Sequence, residues 1–504
     1  MISYQDLLLV DKTNERARMA FVRQVIADHK SSTVYKNAVM GYEYDHKRNT
    51  TIMKYEKTLR TLTGHEVPDK WSPNHKTTRN FFNYFTTQEN QYLLGNGAEW
   101  QNDATAKKLG DDFDLKLQRA GKFALTQGEA FGFYNLDHVE VFELREFAPL
   151  YDEENGSLRA GVRFWQIDDT KPLRATLYEE DGYTSYIWGE RDANGKIDDE
   201  GRVYAEKRTY IQKTKTSPAD GTVIYDGENY PTFPIVPLWG NPLHQSELVG
   251  IQEQIDAYDL IKNGFLNDLD TAQIYWVIKG AGGMDDPDLA QFMMRIKRNH
   301  FAQLEPGQEV EPVTVQIPVD ARERLLDRLE RDLYKDYGAL NVENISAGAV
   351  TATQILAAYE PLNSKADQYE YCVLDFIKGI LTVAGIDPKT EKPTFTRSKL
   401  VNVAEEVQTV LQTSEVLDDE YITRKVLNLL GDGDQADEII KRKEADELER
   451  TETTPSRTAS MYEITSILGK LKRGDISEKI ALSMLQKVRL SEEEAQETLA
   501  GQME

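Results

Sequence analysis

The stretch 315-VQIPVDARERLLDRLERDLYKDYGAL-340 decides how the chain is organised. It reads as one helix over 319–338 whose side chains, at 100° per residue, sort into three rows. Leu326, Leu329, Leu333 and Tyr337 form an apolar row. Arg324, Arg328, Arg331 and Lys335 form a basic row roughly opposite, at spacings of 4, 3 and 4 residues. Asp320, Glu323, Asp327 and Glu330 form an acidic row beside it. Two readings fit. One is a surface helix laced by pairs four residues apart. The other is a helix packed among copies of itself, where charged flanks choose the neighbour.

Upstream lies a second long helical pattern, 245–271. Leu248, Ile251, Ile255, Tyr258, Phe265 and Leu269 follow 3,4 spacing, with Lys262 as the one break. The 272–318 segment between the two helices is rich in strand formers ("QIYWVIKG", "EPVTVQIP") around a Gly-rich turn and a helical "PDLAQFMMRIKRN". Two helices thus bracket a small inserted α/β module. Phe292 and Met293 beside Arg295, Lys297 and Arg298 suit either an adaptable protein contact or the core of the insert.

Downstream, 339-ALNVENISAGAVTATQ-354 is rich in Gly, Ala, Ser and Asn, and Glu343 is its sole charge. Short side chains and a mobile backbone rule it out as a rigid core element. A long helical pattern follows over about 352–385. "TFTRSKL" (394–400) then reads as a short strand, and 403–504 is nearly all helical, with a degenerate repeat of capped helices. Asp475 with Glu478 and Ser491 with Glu494 fit the capping box there.

On the other side, 128–240 alternates apolar and polar residues between turn signals such as "EENGS" and "DANGK", the pattern of antiparallel strands and hairpins. Residues 1–126 are mostly helical. In 80-NFFNYFTTQENQYLLGNG-97, Phe81, Phe85, Gln88 and Tyr92 share one helix face, and Gly95 fits a left-handed stop. The block Gln88, Glu89, Asn90, Gln91 is unusual so close to an apolar end.

The bulk numbers limit the function. A chain of 504 residues holds two to four domains. Net charge is -25, pI about 4.9 and mean hydropathy -0.58. Tight static binding to nucleic acid needs a basic surface that displaces counterions, and none is supplied globally. No apolar run approaches the roughly 18 residues of a membrane span, and the N-terminus is not a signal peptide. The single cysteine, Cys372, excludes an intrachain disulfide and a Cys-based metal site; its apolar neighbours make it a small core residue. The 7 histidines are scattered without ligand spacing. "KGAGGMDD" (279–286) lacks the lysine and serine of a phosphate loop. "GDGDQADEIIKRK" (431–443) lacks the glycine and final glutamate of a calcium loop. No cofactor is implied, and an enzyme has no anchor.

With this order of parts, the chain resembles the tailed-phage portal proteins, in particular the SPP1-type group. "TQENQYLLGNG" is similar to that family's helix-ending pattern. "VQIPVDARERLLDRLERDLYKDYGAL" is similar to its "IPVD" opening of a stem helix, and "TFTRSKLVNVAEEVQTV" to its strand-then-helix element. "DGDQADEIIKRKEADELE" resembles its acidic helix near the C-terminus. The matches run in family order from about 80 to 450. Asn96-Gly97 departs from a residue followed by Pro in many members, and 451–504 has no counterpart.

The resemblance implies an α+β portal fold assembled as a ring of 12 copies around a DNA tunnel. Its parts would be a wing (1–244), stem helices (245–271 and 319–338) and a clip (272–318). A tunnel loop (339–354), a long helix with a wing strand (355–400) and a helical crown with its extension (401–504) would follow. The tunnel-loop contacts would be Asn341, Glu343, Asn344, Ser346, Gly348 and Thr351. Amides at Gln88 and Gln91 would bridge to a neighbour or a β-edge. Implied partners are the terminase large subunit, the major capsid and scaffolding proteins, head-completion and adaptor proteins, and double-stranded DNA read without sequence specificity. No membrane is involved. The protein would sit at a capsid vertex of the virion after assembly in the host cytoplasm. An acidic wall would keep DNA central without holding it. The competing classes are a metal-dependent nuclease built on acidic clusters, and a capsid-associated scaffold without a tunnel.

Overall fold

The computed structural model describes residues 2–60, 64–70, 72–191, 197–198, 200–216, 223–271, 275–279, 309–313, 317–342 and 352–398 of the first of two compact units, Met1–Ser398. Of the second unit, Lys399–Glu504, it describes 410–411, 418–431, 433, 436–443, 461–488, 490, 495–496 and 498–499.

The first unit opens with helices, as the pattern requires. The principal ones are α1 (Glu15–Ser31), α2 (Thr33–Asp45), α3 (Phe81–Leu94) and α4 (Phe113–Gln127). Asn14 caps α1 by accepting from the Ala17 amide, and Ser32 caps α2 by accepting from Tyr35, each satisfying an orphan donor. Helix α3 does not end at a left-handed Gly95, whose φ is -62°; the left-handed residue is Gly97, at +76°.

The alternating region folds as expected into antiparallel strands. A three-stranded sheet pairs β1 (Glu129–Asn135) with β2 (His138–Glu143) on one side and β8 (Ile235–Trp239) on the other. A five-stranded meander runs β3 (Phe147–Tyr151), β4 (Leu158–Trp165), β5 (Leu173–Glu179), β6 (Gly182–Trp188) and β7 (Arg202–Arg208). Helix α1 buries Val22, Val25 and Ile26 against Leu150, Val162 and Leu177 of the meander.

The remaining elements are long helices. A 3-10 turn, Glu247–Gly250, precedes α5 (Gln252–Thr271). Strands Tyr275–Lys279 and Glu309–Val313 pair antiparallel and close the insert at its base. Helix α6 spans Val319–Tyr337 and ends on left-handed Gly338, φ +79°. Helix α7 spans Ala352–Val383 with Pro361 inside it. Its second half packs Val373, Phe376, Ile377 and Ile380 against Leu117, Ala124 and Ala130, so α7, α4 and β1 share one core.

Of the expected strand at 394–400, the described residues 394–398 show one bridge, Thr394 to Glu99. Beyond it the chain is held by other bonds: the Asn96 amide donates to Thr396 O at 2.8 Å, and Arg397 turns to Glu370 at 3.0 Å. In the second unit, helices Met461–Lys472 and Glu478–Lys487 enclose a small core of Ile467, Leu468, Ala481 and Leu485. The later helix is entered from Ser477, not from the expected Asp475 cap. Ser491 and Glu494 lie outside the described residues.

Candidate functional site

Helices α5 and α6 form an antiparallel pair. The Gln254 amide donates to Asp336, Tyr258 Oη donates to Glu330 at 3.4 Å, and Arg322 meets Asp268 at 2.5 Å. The apolar row of α6 does the packing: Leu333 and Tyr337 are buried with Leu248, Ile251, Ile255 and Tyr258 of the α5 side, and with Phe81 and Phe85 of α3. Phe85 stacks on Tyr337 at 4.9 Å, and Phe81 meets Tyr258 edge-on at 5.0 Å.

The 3,4 pattern of α5 holds only as far as Tyr258. Beyond it Phe265 is half-buried and Leu269 is 48 % exposed. The buried positions are instead Asp259, Asn263 and Asn267. Each accepts a backbone N–H from the extended segment before α3: Arg79 N to Asp259 Oδ1 at 3.0 Å, Thr77 N to Asn263 Oδ1 at 2.7 Å, and His75 N to Asn267 Oδ1 at 2.7 Å. Asn263 also donates to Thr77 O at 2.7 Å. The match is geometric. Four residues of helix advance about 6 Å and two of extended chain about 6.8 Å, so the two periods run nearly in step. Asn49 donates to Asp259 Oδ2, yet burial still raises the Asp259 carboxyl to about 6.

At the other end of the pair, the amide block of α3 finds its partners. Gln88 clamps the backbone of Leu340 from both sides, accepting its N–H at 2.8 Å and donating to its C=O at 3.0 Å. Asn90 donates to Gln118 O at 2.8 Å and accepts from Tyr369 Oη at 3.0 Å. Gly121 leaves room for that bond, since a Cβ there would fall 1.9 Å from Tyr369 Oη. Gln91 reaches the Gln118 side chain at 3.3 Å. Within the chain the block thus bonds Leu340, Gln118 and Tyr369, while Gln91 stays exposed.

Glu89 is 1 % exposed; it accepts from Tyr337 Oη at 2.6 Å and faces Lys365 Nζ at 3.2 Å. Lys365 also meets Glu247 at 2.5 Å and lies 3.2 Å over the Tyr337 ring. Burial, partly offset by Lys365, raises the Glu89 carboxyl to about 7.

The outer faces of α6 carry the charged rows. Arg324, Arg328, Arg331, Lys335 and Glu323 are exposed. Arg328 pairs with Asp332 at 3.7 Å. Glu330 is turned inward, to Arg79 at 3.2 Å. Of the expected loop contacts, Asn341 is described, one residue beyond the clamped Leu340. Glu343, Asn344, Ser346, Gly348 and Thr351 lie outside the described residues, as do Phe292, Met293, Arg295, Lys297 and Arg298 of the insert. Among the described residues, no group of three or more His, Cys, Asp or Glu side chains is placed to hold a metal, and no helix is long and apolar enough to cross a membrane.

The family model described as "Phage portal protein, SPP1 Gp6-like" matches residues 23–449, most of the chain. The chain belongs to the SPP1-type phage portal family. It is 23% identical over 435 residues to the portal protein of Bacillus phage SPP1, covering 80% of this chain and 82% of that one. The portal protein of Clostridium phage phiCD119 is 25% identical over 351 residues, covering 64% and 73%. Among solved structures, the neck of a native GTA particle computed with C12 symmetry matches with TM-score 0.38 at 9% identity, over 69% of this chain and 89% of that one. A HK97 family phage portal protein from Corynebacterium diphtheriae matches with TM-score 0.23 at 12% identity, over 43% and 72%. This portal is a structural, non-catalytic component of the virion, the conduit at a capsid vertex used in genome packaging. Residues 450–504 lie past the matched span.

The portal residues that sequence reasoning missed are Asp259, Asn263, Asn267, Glu247 and Lys365. One signal was available: amides and acids recurring at four-residue spacing where the apolar pattern of α5 lapses.

Proposed function

We propose that 12 copies close the ring and that the antiparallel α5/α6 pair is its stem. The observation that carries this reading is the outer surface of α6, with exposed acidic and basic rows side by side. In a ring, the basic row of one copy meets the acidic row of the next, and the contact repeats without twofold symmetry. The wing, 1–244, then packs against major capsid and scaffolding proteins. The clip, 272–318, meets the terminase large subunit during packaging and head-completion or adaptor proteins afterwards, through Phe292, Met293, Arg295, Lys297 and Arg298. The 339–354 loop faces double-stranded DNA through Asn341, Glu343, Asn344, Ser346, Gly348 and Thr351. The 401–504 segment forms the crown, and rings assemble in the host cytoplasm before entering the capsid.

The deciding experiment reverses charge on the acidic row. Because Glu330 is engaged by Arg79 within the chain, the informative pair is Glu323→Lys with Asp327→Lys. Sedimentation at low salt should show the ring replaced by smaller species, with far-UV circular dichroism unchanged. Intact rings would remove the charged rows from the subunit contact. For the other surfaces, Arg298→Glu should leave rings intact and impair terminase-driven packaging, and Gly348→Trp should reduce the DNA packaged per capsid. Normal packaging by either variant would remove that residue from its proposed role.

A further inference from the structure

We propose that Glu89, Glu247, Lys365 and Tyr337 form a charge-counted joint that positions the last turn of α6 and Leu340 against α3 and α7, and that it balances only while one of its carboxyls holds a proton. The count comes from the geometry. Two carboxylates share one ammonium: Lys365 Nζ lies 2.5 Å from Glu247 and 3.2 Å from Glu89. All three are withdrawn from water, with side chains 1 % (Glu89), 13 % (Glu247) and 19 % (Lys365) exposed. An uncompensated charge in such a place is costly, and a carboxyl avoids the cost by taking a proton.

The proton belongs on Glu89. Glu247 has the closer contact to Lys365 and a second donor, Asn241 Nδ2, at 2.7 Å. Glu89 is the deeper group, and burial raises its carboxyl to about 7. Among the described residues, Lys365 is the cation that offsets its burial. Helix α6 contributes Tyr337, whose own ionisation burial pushes far up; α7 contributes Lys365 and Tyr369. On α4, Lys122 is engaged elsewhere, with Asp45 at 2.8 Å and Thr86 at 2.6 Å.

The joint holds particular backbone. Tyr337 Oη bonds Glu89, and Lys365 donates to Tyr337 O at 3.3 Å. Just beyond, Gly338 N and Ala339 N donate to Tyr334 O, and Leu340 N to Gln88. Those three amides report whether the joint is closed.

The sign follows from linkage. A carboxyl whose folded pKa lies above its unfolded value of about 4.3 gives stability that is full below that value and is lost as pH rises through the folded one. Hydrogen exchange on the purified full-length protein, corrected for intrinsic rate, tests this. Protection of the Gly338, Ala339 and Leu340 amides should fall between pH 5 and 7, by at most about tenfold per pH unit for one proton, and level off above. In Glu89→Gln the neutral amide replaces the protonated acid, and the profile should be flat. In Glu247→Gln a one-to-one ion pair remains, and the fall should move to lower pH. A flat wild-type profile, or the same fall in Glu89→Gln, would overturn the joint. A group acting through packing alone leaves all three profiles parallel, which also overturns it. The readout concerns the chain itself, so its failure leaves the stem reading untouched.

Discussion

The two ends of α5 are held to the molecule by different forces. The N-terminal end, with the turn before it, buries Leu248, Ile251, Ile255 and Tyr258 in a core shared with α3 and α6. The C-terminal end buries Asp259, Asn263 and Asn267, which bond an extended backbone. Apolar burial is non-directional and roughly proportional to area, so it fixes a face but tolerates small slides. Side-chain bonds to alternate backbone amides are directional, so they fix register. One end anchors the helix; the other sets which residue of the 75–79 strap lies beside which turn.

The comparison is broken most directly at the anchor. Ile255 is fully buried. Ile255→Ala should destabilise the chain by about 2–5 kcal/mol, the lost transfer energy plus a cavity, read as a lower urea midpoint with unchanged slope. Asn263→Ala should cost less, about 1–3 kcal/mol, because the buried Asn263 side chain gives up its bonds to the N–H and C=O of Thr77. Its signature is local: hydrogen exchange at Thr77 should accelerate while the amides of α3 stay protected. A larger global loss for Asn263→Ala than for Ile255→Ala would invert the anchor and register roles.

A finer test uses pH. Burial, opposed by Asn49 and the Arg79 amide, raises Asp259 to about 6. The native chain therefore binds more protons than the unfolded chain between about 3.9 and that value. Its contribution is complete below the window and is lost as pH rises through about 6. Asp259→Asn removes this slope. The difference between wild-type and variant urea midpoints should change across pH 4–6 and be constant from pH 7 upward. A constant difference at every pH would mean that Asp259 is already ionised in the fold.

Legibility in the sequence divides along the same line. The apolar row of α6 and the first half of the α5 pattern were readable because burial has a period that side-chain chemistry announces. The meander was readable because alternation survives when one face is buried. The polar end of α5 was hidden, since Asp259, Asn263 and Asn267 look like solvated positions until the strap that covers them is known. The intrachain partners of the block at 88–91 were hidden in the same way. Its amides have partners within the chain that no local pattern announces, Leu340, Gln118 and Tyr369, 27 to 279 residues away in sequence. The 394–398 segment departs for the opposite reason: strand formers are present, but Asn96 and α7 supply the partners of Thr396 and Arg397.

The smallest effect belongs to the exposed rows of α6, and it is informative because it is small. The Arg328 side chain is 79% exposed and lies 3.7 Å from Asp332, four residues on. Such a pair gains little against solvent screening and the ordering of two long side chains. Arg328→Ala should therefore shift the stability of the dissociated chain by no more than about 0.5 kcal/mol. The sequence nevertheless spends four cations on this row. If they serve assembly, the same substitution should lower the salt concentration at which rings dissociate, because an ion pair between copies weakens with ionic strength where buried apolar contacts do not. The two measurements separate the uses of the helix. A chain weakened by more than 1 kcal/mol with rings unaffected would place the basic row in the anchor; an unweakened chain with salt-sensitive rings would place it between copies.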